Sequence, residues 1–201
     1  MNTSTKGKKI IIHCGCHKTG TTSLQEYLFK NKKTLITNSI LYPSSGMKTN
    51  AKGYRHTKLL YGKDRSQLLD NLINECREIN ANYVVISTEA LSRPKHKNTL
   101  KRIATLFNNE NYDVEGYLYV RNYFEYAIKF YREFVIKSGA KEDFKSFVIK
   151  NKAILNYLRI SKYLKESLSK IRFIKYDSSK DIVSCFLHDT KLPLHFDKKI
   201  K

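Results

Sequence analysis

The sequence predicts an α/β protein of three layers, with a mostly parallel central sheet flanked by helices. Short β-branched runs recur along the chain at Lys9 to Cys14, Tyr83 to Ser87, Val114 to Val120 and Ile171 to Tyr176. Between them lie longer stretches whose apolar residues return at helical spacing. Strands alternating with helices need crossover connections, and crossovers make parallel pairs. A length of 201 residues suits one domain with a properly buried core. That domain spans 1–201, with 1–8 expected to be flexible and 190–201 to form a basic tail.

The elements follow in order. Lys9 to Cys14 is Ile-rich and ends at Gly15, the pattern of a short strand buried on both faces. From Thr21 the period changes, and Leu24, Tyr27, Leu28 and Leu35 mark the inner face of a helix. Ile40 to Pro43 reads as a short extended piece, and Ser44 to Arg55, polar and glycine-punctuated, as a surface loop. His56 to Leu60 begins a helical turn. Asp64 to Ile79 is an amphipathic helix with Leu68, Leu69, Leu72, Ile73, Cys76 and Ile79 inward. After the second strand, Lys95 to Asn108 is helical, with Leu100, Ile103, Ala104 and Phe107 inward. The third strand leads to an aromatic-rich helix, Tyr123 to Lys137, then to helical segments at Phe144 to Lys150 and Ile154 to Ser169. Ser178 to Leu187 closes the chain as a helix, with Ser178 and Asp181 spaced as in a capping box.

The formal charge of +20 points to an anionic ligand or surface, and it also reflects lysines spread over the whole chain. No segment forms the dense basic stripe with interleaved aromatics that marks a nucleic-acid binder. The four cysteines, Cys14, Cys16, Cys76 and Cys185, have neither disulfide-framework nor zinc-finger spacing, so no metal site is expected. Cys14 is expected to pack as a small hydrophobe. No apolar run approaches the length of a signal core or a membrane span, and the expected location is cytoplasmic.

The chemistry concentrates in Gly15-Cys16-His17-Lys18-Thr19-Gly20-Thr21-Thr22, which follows a strand and opens a helix. Gly15 and Gly20 let the chain curl with its amides inward. The helix N-terminus adds partial positive charge and unpaired N–H groups. Lys18 contributes a full charge, and Thr21 and Thr22 contribute hydroxyls. The glycine spacing is that of a P-loop, yet Thr21 stands where the nucleoside-triphosphate version has Lys, and the lysine lies inside the loop at Lys18.

These residues resemble the 5′-phosphosulfate loop of the sulfotransferases that use 3′-phosphoadenosine 5′-phosphosulfate (PAPS), in particular the bacterial branch related to carbohydrate sulfotransferases. The match runs over Ile12 to Leu28 with the core Lys-Thr-Gly-Thr-Thr. Leu41-Tyr42-Pro43, Val85 to Glu89, Leu118 to Arg121 and Phe173 to Tyr176 resemble later elements of the family in the same order. The resemblance implies a P-loop-type fold and sulfuryl transfer from PAPS, as co-substrate and without a metal, to a hydroxyl of a carbohydrate or glycolipid acceptor, acidic ones included. It implies that Lys18 stabilises charge on the departing phosphate and that Thr19 to Ser23, with Gly15 and His17, hold the 5′-phosphate. It implies too that Arg121 binds the 3′-phosphate. The chain departs from the family where Lys129 replaces a serine and Asn122-Tyr123 replaces a basic-Pro pair.

Sulfuryl transfer to a hydroxyl needs a general base. His56 is the first candidate, since its side chain titrates near neutral pH, and Glu89, at a strand end, is the second. Other expected partners are a membrane surface met through charge and a second copy of the chain; a specific nucleic acid is not among them. Two other classes remain open: a P-loop kinase or hydrolase acting on a nucleotide, and a non-catalytic basic binding module.

Overall fold

The computed structural model describes residues 7–16, 19–50, 53–139 and 141–194. His17 and Lys18 lie outside the described residues, as do 1–6 of the N-terminal segment and 195–201 of the tail, with His195 among them.

Five strands form a parallel sheet: β1 (Lys9–His13), β2 (Ile40–Leu41), β5 (Tyr83–Ser87), β6 (Asp113–Val120) and β7 (Lys170–Lys175). Their spatial order is β2-β5-β1-β6-β7, so β1 is central and the chain builds outward from it on both sides. The strand isoleucines divide between the two faces. Ile10 and Ile12 enter one apolar layer with Val84, Ile86, Val114 and Leu118, and Ile11 enters the other with Val85, Tyr117 and Tyr119. All three isoleucines are fully buried. Burying each contributes about 1.5–3 kcal/mol, which explains why the strand reads as an unbroken apolar run.

The first layer is covered by α4 (Arg65–Glu78), α5 (Lys97–Asn109) and α9 (Tyr157–Lys165), and the second by α1 (Thr21–Lys30) and α10 (Ile182–Thr190). Helices α4 and α5 stop in the same way. Asn80 and Asn111 take left-handed φ values of 47° and 61°, and the amides of Ala81 and Tyr112 reach back to Cys76 and Phe107 at 3.1 and 2.9 Å. This αL termination turns each chain directly into the next strand.

Three local expectations change. The segment read as a loop at Ser44 to Arg55 contains an antiparallel pair, β3 (Lys48–Asn50) and β4 (Gly53–Arg55). Tyr54 of this hairpin stacks on Phe29 of α1 at a centroid distance of 3.8 Å and anchors it to the body. The helical stretch read at Ile154 to Ser169 is broken: α8 (Lys152–Leu155) ends at Asn156, whose side chain caps α9 by accepting from the Arg159 amide at 3.0 Å. The final helix starts at Ile182, with Asp181 as its cap, accepting from Ser184 N–H at 2.7 Å, so the expected capping box at Ser178 is not formed. Asp177 takes Ser179 N–H at 2.9 Å into a turn instead. The remaining helices are α2 (Lys32–Thr37), α3 (Lys58–Tyr61), α6 (Tyr123–Ser138) and α7 (Phe144–Lys150).

Candidate active site

The site lies beyond the carboxyl ends of β1 and β5, where the chain switches from building on one side of β1 to the other. Ligands gather at such a point in open α/β sheets. A cleft of about 900 Å³ opens there, lined by Gly20, Thr21 and Thr22 of the loop and α1, by Arg55, Glu89 and Arg93, and by the α6 face carrying Lys129, Phe130, Glu133 and Phe134.

The loop is built from its ends. Cys14 N–H continues the β1 ladder by donating to Tyr117 O at 2.9 Å. Cys14 and Cys16 are both fully buried, and burial raises both thiols well above their usual range, Cys16 to about 12. They pack as apolar groups. On the far side, Thr19 is buried and its hydroxyl donates to Cys16 O at 2.8 Å, tying the two ends of the loop together. Gly20 caps α1 with φ 72°, a left-handed conformation that costs glycine little. Among the described residues no side chain caps this helix, no acidic residue sits in its first turn, and its first residues, Gly20, Thr21 and Thr22, line the cleft, where the helix end contributes partial positive charge. Thr21 is 8 % exposed, and its Oγ1 has no hydrogen-bond partner among the described residues.

Below the loop runs a polar chain. Gln25 of α1 donates from Nε2 to Ser87 Oγ at 3.1 Å, and Ser87 Oγ lies 2.8 Å from His13 Nδ1. His13 is fully buried, with its ring set edge-on to Tyr119 and Phe186. Burial lowers its pKa to about 4, against an opposing pull from the Glu89 carboxylate, so the imidazole is neutral near pH 7. A Cβ on Gly15 would lie 2.8 Å from His13 Nε2 and 3.0 Å from Thr21 Oγ1, so only glycine fits there.

Glu89 follows β5 at the start of a short 3₁₀ turn, Glu89–Ser92, and is largely buried. Arg55, delivered by the β3–β4 hairpin, forms an ion pair with it at the cleft wall. His56 has a different placement. It is fully buried, its Nε2 donates to Pro43 O at 3.0 Å, and its Nδ1 accepts Ser87 N–H at 3.1 Å. Burial lowers its pKa to about 4. Both ring nitrogens are therefore engaged with backbone, and His56 is not among the residues lining the cleft. These bonds tie the Tyr42-Pro43 segment to the end of β5.

Arg121 follows β6, is 5 % exposed, and lies over the Tyr176 ring at 4.6 Å. Its Nη1 is 3.4 Å from Glu125, and its Nε has no partner among the described residues. The adjacent Asn122 caps α6 by accepting from Phe124 and Glu125 amides at 3.0 and 3.4 Å, which gives the departure at this position a structural use. The structure thus brings Gly20, Thr21, Thr22, Glu89 and Lys129 to one cleft. Gly15 and Thr19 are buried, Ser23 is exposed on α1, and neither these three nor Arg121 line it. Arg55 and Arg93 were not legible as site residues, because polar segments without periodicity precede the cleft on the chain. His188, on α10, is exposed.

Among the described residues no group of three or more His, Cys, Asp or Glu side chains could hold a metal ion, and no helix is long and apolar enough to cross a membrane. No family model and no curated protein matches the chain. Solved structures do match. A sulfotransferase from Alicyclobacillus acidocaldarius superposes with a TM-score of 0.57 at 14 % identity, covering 96 % of this chain and 86 % of that one. The sulfotransferase domain from the curacin biosynthetic pathway superposes with a TM-score of 0.54 at 14 % identity, over 94 % of this chain and 75 % of that one. Over nearly its whole length, the chain has the α/β fold of these sulfotransferases.

Proposed function

We propose that this chain is a sulfotransferase that moves a sulfuryl group from PAPS to a hydroxyl of a carbohydrate or glycolipid acceptor. The observation that carries the reading is the cleft itself. A helix N-terminus without a side-chain cap, and a buried hydroxyl without a hydrogen-bond partner, among the described residues, lie in the same wall system as a carboxylate held by an arginine. The first half suits an anion and the second suits a proton acceptor.

Bound PAPS would supply the activated sulfuryl group. The chain's residues supply the rest. The first amides of α1 and the hydroxyls of Thr21 and Thr22 hold the 5′-phosphate. Glu89 takes the proton from the acceptor hydroxyl as its oxygen bonds to sulfur, and Arg55 keeps that carboxylate in position. The bond from sulfur to the phosphate oxygen breaks, and Lys18 offsets the charge that develops on that oxygen. Lys129 faces the nucleotide from α6, Arg121 serves the 3′-phosphate from the end of β6, and His56 acts as a structural clasp and not as the base.

Thermal shift tests the reading, since a ligand that binds only the folded state stabilises it by mass action. Stabilisation by 3′-phosphoadenosine 5′-phosphate (PAP) without Mg²⁺ is expected. Stabilisation by Mg-ATP alone would move the chain to nucleotide kinases or hydrolases. Binding to DNA with steep salt dependence and no response to either nucleotide would make it a basic binding module.

A further inference from the structure

The buried chain Gln25–Ser87–His13 ends at an atom that the proposed chemistry leaves unused. His13 Nε2 has no hydrogen-bond partner among the described residues, although the residue is fully buried. Buried ring nitrogens are rarely left so, because each costs about 1–3 kcal/mol without a partner. The same holds for Thr21 Oγ1. Both atoms border one point, the place that a Cβ on Gly15 would take, at 2.8 and 3.0 Å. Two buried, unsatisfied polar atoms therefore converge beneath the loop, and the residue between them lacks the methyl that would separate them.

The role needs one tautomer of His13. Gln25 Nε2 donates to Ser87 Oγ, and in that tautomer the Ser87 hydroxyl gives its proton to His13 Nδ1. A neutral imidazole that accepts at Nδ1 carries its proton at Nε2. In that tautomer an N–H is aimed at the underside of the loop, on a ring held by residues from three elements, α1, β5 and β1.

We propose that His13 is a positioning residue of the anion loop, its Nε2–H donating to the Thr21 hydroxyl when that hydroxyl gives its own proton to a bound phosphate oxygen. This rests on the nucleotide reading above. Thr21 would then donate outward and accept inward at once, and a hydroxyl so polarised is a stronger donor to an anion. Without ligand the two atoms are left unpartnered among the described residues. Gly15 is required because a side chain there would block the approach.

The test uses two amide replacements that divide the ring. His13→Asn retains a polar atom at the Nδ1 position and has none at Nε2. His13→Gln carries an N–H at the reach of Nε2. PAP dissociation constants are measured by calorimetry, with ligand-free melting as the control for folding. The Asn variant is expected to bind roughly tenfold more weakly than the unsubstituted chain, and the Gln variant to recover most of that loss. Equal affinity in the Asn variant, or equal losses in both, overturns the role. A second readout needs no substitution: long-range ¹H–¹⁵N spectra of the labelled protein should show His13 protonated at Nε2 and bare at Nδ1. The opposite tautomer overturns the proposal. If the unsubstituted chain does not bind PAP at all, the nucleotide reading fails and this role fails with it. Tight PAP binding with an indifferent Asn variant removes the His13 role alone.

Discussion

Thr21→Val should stabilise the ligand-free protein and weaken nucleotide binding, two effects of opposite sign from one hydroxyl. Valine keeps the branched shape and removes only the oxygen, which has no partner among the described residues and sits on a residue 8 % exposed. A buried polar group without a partner costs about 1–3 kcal/mol, and the small residual exposure of Thr21 puts it at the lower end, about 1 kcal/mol. For a domain of this size that is a rise of about 2–4 °C in melting temperature. In the complex, the same oxygen would donate to a charged phosphate, a bond worth about 1.5–3 kcal/mol, so the PAP dissociation constant should rise roughly 10- to 150-fold. The assay is urea unfolding with and without saturating PAP, read by circular dichroism, together with calorimetric titration. A ligand-free variant less stable by about 1 kcal/mol would show that the hydroxyl has a structural partner, and unchanged PAP affinity would remove it from the phosphate site.

Glu89→Gln should lower turnover by about 10²- to 10⁴-fold while PAP binding stays within a few-fold, checked by steady-state sulfation kinetics and titration; normal turnover would leave the base unassigned. Lys18→Ala should likewise cut turnover far more than it shifts the melting temperature, and near-normal turnover would refute its role at the leaving oxygen. Acid should destabilise the fold between about pH 6.5 and 4, because His13 and His56 stay neutral in the native state with pKa values lowered to about 4 while the unfolded chain takes up protons. Stability is thus present above the upper value and lost as pH falls; a urea midpoint flat from pH 7 to 4 would contradict that burial. Asp181→Ala should cost about 1 kcal/mol by leaving the Ser184 amide uncapped, read by urea unfolding, with PAP affinity unaffected at matched folded fraction.

What could be read in advance divides by the range of the interactions involved. The run Ile10-Ile11-Ile12 exposes its own answer, since a strand apolar on both faces belongs in the middle of a covered parallel sheet. The turn into α1 was legible for the same reason: Gly20 at its start acts through neighbours a few residues away. The hairpin at Lys48 to Arg55 was not. Its polar, glycine-containing strands are held by Tyr54 stacking on Phe29 and by Tyr42 Oη donating to Tyr54 O at 2.6 Å, contacts that no local pattern encodes. With the hairpin hidden, Arg55 could not be placed beside Glu89. His56 looked like a base because its residue type titrates near neutral pH. Its actual surroundings, the Pro43 carbonyl and Ser87 amide, come from distant segments and consume both nitrogens. The cap at Asp181 was misplaced by three residues because Asp177 and Ser179 satisfy each other locally.

The outermost strand, β7, governs how copies of this protein can meet. Only Ile171 and Ile174 are partly buried along Lys170–Lys175, and the sequence Lys-Ile-Arg-Phe-Ile-Lys spaces cations along this outer strand. Lysine on a free sheet margin discourages another backbone from zipping onto it, and at the opposite margin β2 is only two residues long. Neither border of the sheet therefore offers a template for continuous cross-chain pairing. Joining of copies through the borders of this sheet is thereby disfavoured.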